Sequence, residues 1–221
     1  MNNIKVKFVD MSLQFYSLKS EIVQRVISAL ESGDYILGSE VIEFETAFAK
    51  YCDCKFAVGV GNGTDALFLC MKAVGIGNGD EVITSPNSFI GTAGSIVAAG
   101  AKPVFVDVSE DYNINPDLIA NAITKKTKAI IPVHLTGKPA NMTKILEIAK
   151  QHNLYVIEDA AQAVGTKYKG KKVGSFGITG CFSLHSLKNL DCCGDGGIIT
   201  TNDETLYKKL ILLRNHGLKN R

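Results

Sequence analysis

Leu154-Tyr155-Val156-Ile157-Glu158-Asp159-Ala160-Ala161-Gln162 is a short apolar run that stops on a pair of carboxylates. A run of this length, rich in β-branched residues, is the pattern of a strand covered on both faces. Comparable runs lie at 56–60, 81–85, 103–106 and 129–132, and helical segments near 65–75, 88–99, 116–123 and 141–152 separate them. This alternation predicts an α/β domain with a mostly parallel sheet and helices on both faces. Two further runs, 179–184 and 197–201, lie too close together for a helix between them, so at least one is expected to pair antiparallel and the sheet to have seven strands. Upstream, Lys19, Glu21, Ile22, Val23, Val26, Ile27 and Leu30 carry helical periodicity over 19–32, with Gly33 as its stop. A second helix is expected over 39–51, burying Val41, Phe44 and Phe48, and a last one over 204–213.

The whole chain narrows the classes. Its 221 residues suit one large domain with a sizeable core. A hydrophobic share of 46%, a charged share of 21% and a net charge of +2 are those of a globular protein with no electrostatic claim on nucleic acid or an anionic membrane. No uncharged run reaches membrane-spanning length, and the start, Met1-Asn2-Asn3-Ile4-Lys5-Val6-Lys7, lacks the apolar stretch of a signal peptide, so the cytoplasm is the expected compartment. The cysteines Cys52, Cys54, Cys70, Cys181, Cys192 and Cys193 lack the spacing of a zinc site; a four-cysteine site assembled in space is the alternative to buried or incidental thiols in a reducing compartment, and on the latter reading no metal is expected.

Three segments carry chemistry. Gly61-Asn62-Gly63-Thr64-Asp65 follows a strand and opens a helix, so its N–H groups and the Thr64 hydroxyl suit a phosphate. Alone it is a weak signal: a capped turn without ligand reads the same, and Gly59-Val60-Gly61 begins a dinucleotide fingerprint whose third glycine Thr64 replaces. Asp159, at the end of its apolar run, is a carboxylate in a dry place and needs a cation or several donors. A protonated pyridine nitrogen is such a cation; a helix cap, or a metal ligand with Glu158, are the alternatives. Lys188 lies in Phe182-Ser183-Leu184-His185-Ser186-Leu187-Lys188-Asn189-Leu190, ahead of Gly194-Asp195-Gly196-Gly197. A lysine in such a loop is ordinarily a solvated charge, and only its company makes it an amine for an aldehyde, forming a Schiff base and then shuttling a proton. Phosphate cradle, anion and amine together match pyridoxal phosphate. Ser183 can add a phosphate bond and Phe89 can stack on a ring, although a phenylalanine opening a helix is more often core; His185 reads as core or supporting histidine before acid or base.

With these segments the chain resembles the DegT/DnrJ/EryC1/StrS family of pyridoxal-phosphate sugar aminotransferases, which have the aspartate aminotransferase fold (fold type I). The matching stretches are Ser32-Gly33-Asp34-Tyr35-Ile36-Leu37-Gly38, 58–67, Pro132-Val133-His134-Leu135, Glu158-Asp159-Ala160-Ala161-Gln162, Lys188-Asn189-Leu190 with Gly194-Asp195-Gly196-Gly197, and Leu213-Arg214-Asn215-His216-Gly217. The resemblance implies that Lys188 is the lysine that carries the cofactor and Asp159 the partner of its ring nitrogen. It also implies that Gln162 meets the ring hydroxyl side, Phe89 stacks on the ring, and Gly63, Thr64, Asp65 and Ser183 bind phosphate. It further implies a homodimer, glutamate as the expected amino donor and a nucleotide-linked keto sugar as acceptor, in cell-surface polysaccharide or amino-sugar biosynthesis. Sugar-dehydrating members have histidine at the lysine position, so lysine favours amino transfer; the Lys-Asn-Leu pattern is similar to that of members acting at C3.

The chain departs from the family pattern at Ser186, where proline is frequent, at Val164, where histidine is frequent, and at Cys192-Cys193. The resemblance makes 1–221 the cofactor-binding large domain, with N-terminal helices in 1–52 and an α/β core in 53–221. Members continue past Arg221 into an Asn-containing segment that completes a neighbouring subunit's phosphate site and then into a small C-terminal domain, so that domain is expected to be missing. Two rival readings stand beside amino transfer. One is a truncated, catalytically incomplete remnant or half of a split enzyme; the other, a nicotinamide-dependent oxidoreductase resting on Gly59-Val60-Gly61, leaves Asp159 and Lys188 without a role.

Overall fold

The computed structural model describes residues 6–218, in two compact units, Met1–Phe44 and Glu45–Arg221. The first unit carries helix α1 (Met11–Ser32), which begins eight residues ahead of the expected start because Asp10 caps it, accepting from the N–H groups of Ser12 and Leu13. Gly33 ends it in the left-handed conformation, as expected. No residue of α1 is buried, and the chain divides after Phe44, inside α2 (Ser39–Tyr51). In α2 Phe48 is buried, but Phe44 stays exposed and Glu45 takes the buried place expected of it.

In the second unit, β1 (Phe56–Val60), α3 (Gly63–Ala73), β2 (Glu81–Thr84), α4 (Ile90–Ala98), β3 (Lys102–Phe105), α5 (Pro116–Ala122), β4 (Thr127–Ile131), α6 (Met142–His152) and β5 (Tyr155–Asp159) follow the expected alternation. A two-stranded hairpin, β6 (Lys167–Tyr168) with β7 (Lys171–Lys172), was not foreseen. The unit ends with β8 (Thr179–Ser183), β9 (Gly197–Thr201) and α7 (Glu204–Arg214). The large sheet has seven strands in the order β1-β9-β8-β5-β4-β2-β3. Its pairs are parallel except those of β9, which is antiparallel to both β1 and β8. Two reversals cancel, so β1 runs in the same sense as β8 and β5, and all their carboxyl ends meet at one edge.

Alternation along the strands divides the core. Val58, Val82, Ile131, Ile157, Cys181 and Ile199 face one side and pack with Leu67, Cys70 and Met71 of α3, Ile96 of α4 and Leu210 of α7. Ile83, Ile130 and Val156 face the other side, against Ile119 of α5 and Met142, Ile145 and Ala149 around α6. Further along that second face, Ala57, Phe182 and Ile198 pack on Phe48 and Ala49 of α2, with Phe48 and Phe182 edge to face at 5.0 Å. Helices on both faces of a mostly parallel seven-stranded sheet are the expected architecture.

Edge strand β1 is closed by an ion pair in place of another strand. Glu45 accepts the Gly59 N–H at 2.6 Å, Arg214 donates to the Gly59 carbonyl at 3.2 Å, and the two side chains bond each other. A buried charge left alone costs far more than a buried pair. Arg214→Met is therefore expected to lose about 3–5 kcal/mol of stability in urea titration. The double variant Glu45→Met with Arg214→Met is expected to lose less than the single one, because no charge is stranded; a larger loss in the double would contradict the pairing.

Candidate active site

The common edge of β1, β2, β4, β5 and β8 opens on a cavity of about 510 Å³, within the range of small-molecule sites. Gly63, Thr64, Asp65, Phe89, Asp159, Gln162, Ser183 and Lys188 all line it. The structure thus brings together residues that the chain separates by up to 125 positions, from Gly63 to Lys188. Ligand sites at the carboxyl ends of strands follow from this sheet architecture.

One end of the cavity is the start of α3. Asn62 caps it, its Oδ1 accepting the Asp65 N–H at 2.8 Å, so Asp65 closes the turn and the N–H groups of Gly63 and Thr64 are the ones directed out of the helix end. The turn is held by close backbone approach: a side chain at Gly197 would put its Cβ 2.2 Å from the Asn62 carbonyl oxygen. At Gly91 it would meet the Thr64 hydroxyl at 2.6 Å and the Phe89 ring at 2.9 Å. Ser183, last residue of β8 and buried, accepts the His185 N–H at 3.2 Å and keeps its own hydroxyl proton to donate. The register places Val60, Gly197 and Ser183 side by side across β1, β9 and β8, which brings Ser183 to the α3 turn.

At the other end Asp159 closes β5. Its N–H goes to the Pro132 carbonyl and its carbonyl accepts the His134 N–H, at 2.9 and 3.0 Å, so the backbone is fixed on both sides. Oδ2 accepts from the Thr92 hydroxyl at 2.7 Å and Oδ1 from the Ala161 N–H at 3.2 Å. Burial pushes the carboxyl above the usual carboxylate range, opposed in order by Thr92, the Ala161 N–H, His134 and Lys188. No cation forms an ion pair with it among the described residues. Glu158 points to the opposite face and is saturated: it accepts from the N–H groups of Gly174, Phe176 and Gly177 and from His134 Nε2, at 2.7–3.0 Å. The His134 tautomer follows, since Nδ1 accepts the Ala140 N–H at 3.1 Å. Glu158 and Asp159 therefore do not share a ligand, and no metal-binding cluster of three or more such groups occurs among the described residues.

Lys188, half-buried, lines the same cavity from the loop after β8. Its loop is pinned by the Lys188 N–H to the His185 carbonyl at 2.8 Å and by the Asn189 side chain, which donates to the Val164 carbonyl at 2.9 Å. Gln162 Oε1 accepts the Thr136 N–H at 2.7 Å, leaving its NH2 group as the donor toward the cavity. Phe89 precedes α4 and is 67% exposed on the cavity wall, so it is no core residue. His185 is also exposed on that wall, its Nδ1 accepting the Leu187 N–H. The described cysteines are all free, as expected. Thr92, Ser88 and Asn62 were missed as site residues; the first two sit at the start of a segment whose apolar pattern reads as plain core helix.

The geometry can hold an anion by neutral donors at the α3 turn and a cationic ring nitrogen at Asp159, with the Lys188 amine on the same cavity wall. Comparison with known proteins identifies the family and the fold. Residues 16–221 match the model of the DegT/DnrJ/EryC1/StrS aminotransferase family. A dTDP-3-amino-3,6-dideoxy-alpha-D-galactopyranose transaminase from Aneurinibacillus thermoaerophilus is 49% identical over 213 residues, covering 96% of this chain and 59% of the relative. The crystal structure of DesV from S. venezuelae in complex with a ketimine intermediate superposes with a TM-score of 0.95 at 42% identity, over 98% of this chain and 58% of that one. The structure of ntda from Bacillus subtilis with bound cofactor PMP superposes with a TM-score of 0.91 at 33% identity, over 100% of this chain and 51% of that one. The fold is therefore that of the aspartate aminotransferase-like large domain, and the chain spans less than three fifths of the length of these relatives.

A carboxyl whose pKa is raised on folding binds its proton more tightly in the folded chain, so it subtracts stability as pH rises from the ordinary carboxylate range through the folded-state value. Asp159→Asn is expected to melt higher than the parent at pH 7 in cofactor-free protein. The gain should grow as pH rises from the ordinary carboxylate range towards neutrality. Below about pH 4, the ordinary carboxylate pKa, the two melting curves should converge; calorimetry across pH checks the sign.

Proposed function

The chain belongs to the DegT/DnrJ/EryC1/StrS aminotransferase family, and from that membership we propose that its cavity binds pyridoxal phosphate and moves an amino group from glutamate to a keto group of a nucleotide-activated sugar. The observation that carries this reading is the convergence on one cavity of the α3 N-terminus, the Lys188 amine and a buried Asp159 that has no ion-pair partner among the described residues. The residues fit the group: the cradle offers free N–H groups and hydroxyls for a phosphate, and Asp159 lacks the cation that a protonated ring nitrogen supplies. When bound, pyridoxal phosphate supplies an electron-poor ring that delocalises the electron pair left by a departing Cα proton.

The chain's own residues then divide the work. Gly63 and Thr64 N–H groups, the Thr64 hydroxyl and the Ser183 hydroxyl hold the phosphate, while Asp65 keeps the turn closed. Asp159 keeps a proton on the ring nitrogen, the Gln162 NH2 donates to the ring hydroxyl and Phe89 covers the ring face. Lys188 Nζ would hold the cofactor by its aldehyde and, once freed by an incoming amine, would be the base that carries a proton between the substrate carbon bearing the nitrogen and the former aldehyde carbon. Two half-reactions of this kind give ping-pong kinetics.

Amination at C3 is supported by the Lys188-Asn189-Leu190 and Gly194–Gly197 segments and by the 3-amino product in the name of the Aneurinibacillus relative. The reading also takes the protein as a cytoplasmic homodimer, in keeping with the family; no helix among the described residues is long and apolar enough to cross a membrane.

Absorbance spectra of the purified protein with pyridoxal phosphate, before and after glutamate, test the reading. A visible band that is absent in Lys188→Ala and that glutamate converts to a near-ultraviolet band is expected. The spectrum of free cofactor, the same in both proteins, would overturn it.

A further inference from the structure

The cavity wall holds two hydroxyls that the chemistry above leaves without a role. Thr92, in α4, is buried, and its Oγ1 lies 2.7 Å from Asp159 Oδ2. Ser88, just ahead of α4 and half-buried, has its Oγ 2.7 Å from the same Thr92 Oγ1. Both positions are anchored by backbone bonds, Ser88 N–H to the Pro86 carbonyl at 3.0 Å and Thr92 N–H to the Phe89 carbonyl at 3.1 Å.

An ionised carboxylate only accepts. With Asp159 ionised, Thr92 must donate to Oδ2 and turn a lone pair to Ser88, which donates in turn. With Oδ2 protonated, the carboxyl donates to Thr92, whose own proton then turns to Ser88. The two hydroxyls thus have one concerted orientation for each charge state of Asp159, and each bond strengthens the other. The other groups that face Asp159 are few. Cys181 stands beside it on β8, His134 follows β4 with its Nε2 committed to Glu158, and Lys188 reaches in from the loop after β8 without forming an ion pair. Thr92 is therefore the side chain that hydrogen-bonds this carboxylate among the described residues.

We infer that Ser88 and Thr92 are positioning residues, a two-hydroxyl relay that holds Asp159 in its ionised form and thereby keeps the proton on the ring nitrogen of the bound cofactor. The first half concerns the protein alone; the second rests on the proposed pyridoxal phosphate site. The relay runs from the half-buried cavity wall to the buried carboxylate, so it stabilises the charge without the cost of bringing a cation into the core.

A double-mutant cycle decides the matter on the full chain without cofactor. Melting temperature is measured from low to alkaline pH for the parent, Thr92→Val and Ser88→Ala, each with and without Asp159→Asn. Within each pair, the difference made by Asp159→Asn isolates the titration of this one group from all others. In the Thr92→Val pair that difference is expected to go on growing to higher pH than in the parent pair, with the Ser88→Ala pair between the two. A pH-independent loss from Thr92→Val that is the same in the Asp159→Asn background would mean a packing role only and would overturn the relay. With cofactor added, Thr92→Val is expected to bind it about tenfold more weakly, the effect of losing one charge-assisted hydrogen bond. The 15N resonance of ring-labelled pyridoxal phosphate should move toward that of a neutral pyridine, and an unmoved resonance would overturn the second half. A chain that binds no cofactor would remove the site assignment, and the cofactor-free cycle would still uphold or overturn the relay.

Discussion

Two neighbouring carboxylates, Glu158 and Asp159, are buried on opposite faces of the central strand, and the site depends on how differently they are satisfied. A buried carboxylate needs several donors to stay ionised at tolerable cost. Glu158 has four, three from the backbone at 174–177 and one from His134, so it ties β5 to the segment ahead of β8 and to the turn after β4. Asp159 has two and no cation among the described residues. Period-two alternation guarantees that a strand fixed by Glu158 on one face presents Asp159 on the other. The structural acid secures the position of the functional one, and the incomplete satisfaction of Asp159 is what a ligand can repair.

The strands and helices were legible because the core is regular. Fully buried runs such as 179–183 and 197–201 are β-branched or apolar on both faces, and glycine or asparagine marks most of their ends. An antiparallel pairing among the last two strands was readable from spacing, since no helix fits between 184 and 197, whereas that β9 is the reversed strand was not. The place of β1 at the sheet edge was not, because an edge closed by Glu45 and Arg214 leaves no alternation for the eye to find. Their separation by 169 residues hides a pair whose purpose is to bond the backbone of Gly59. The early start of α1 was missed for the converse reason: that helix buries nothing, so its first turns carry no periodic imprint of a core.

The site was legible where it interrupts a pattern. Gly61–Asp65 breaks an apolar run with glycine and polar residues, Asp159 ends one with charge, and Lys188 sits in a polar loop. Thr92 interrupts nothing. Within Ile90-Gly91-Thr92-Ala93-Gly94-Ser95-Ile96-Val97-Ala98 a threonine passes for a small core residue, and its partner lies 67 positions away. Gly91 is similar, because the need for it arises from Thr64 and the Phe89 ring in space. Sequence reading finds residues that violate their local context and misses those that conform to it while serving a distant group.

The cavity is electrically polar along its length, and its hold on an anion at the cradle comes from backbone dipoles rather than from cationic side chains, against the carboxylate of Asp65 in the first turn of α3. The α3 N-terminus contributes a partial positive charge and free N–H groups, with neither lysine nor arginine among the cavity-lining residues at that end. Asp159 supplies negative charge at the other end, where burial makes it act over distance. A ligand with an anionic tail and a protonated ring gains at both ends in one orientation and loses at both when reversed, since phosphate would then face carboxylate in a dry place. Using neutral donors for the tail also leaves Lys188 as the lysine of the cavity wall, so its amine is not needed to hold the phosphate and stays available to react. The arrangement therefore separates binding, by fixed backbone dipoles, from reaction, by one side-chain amine.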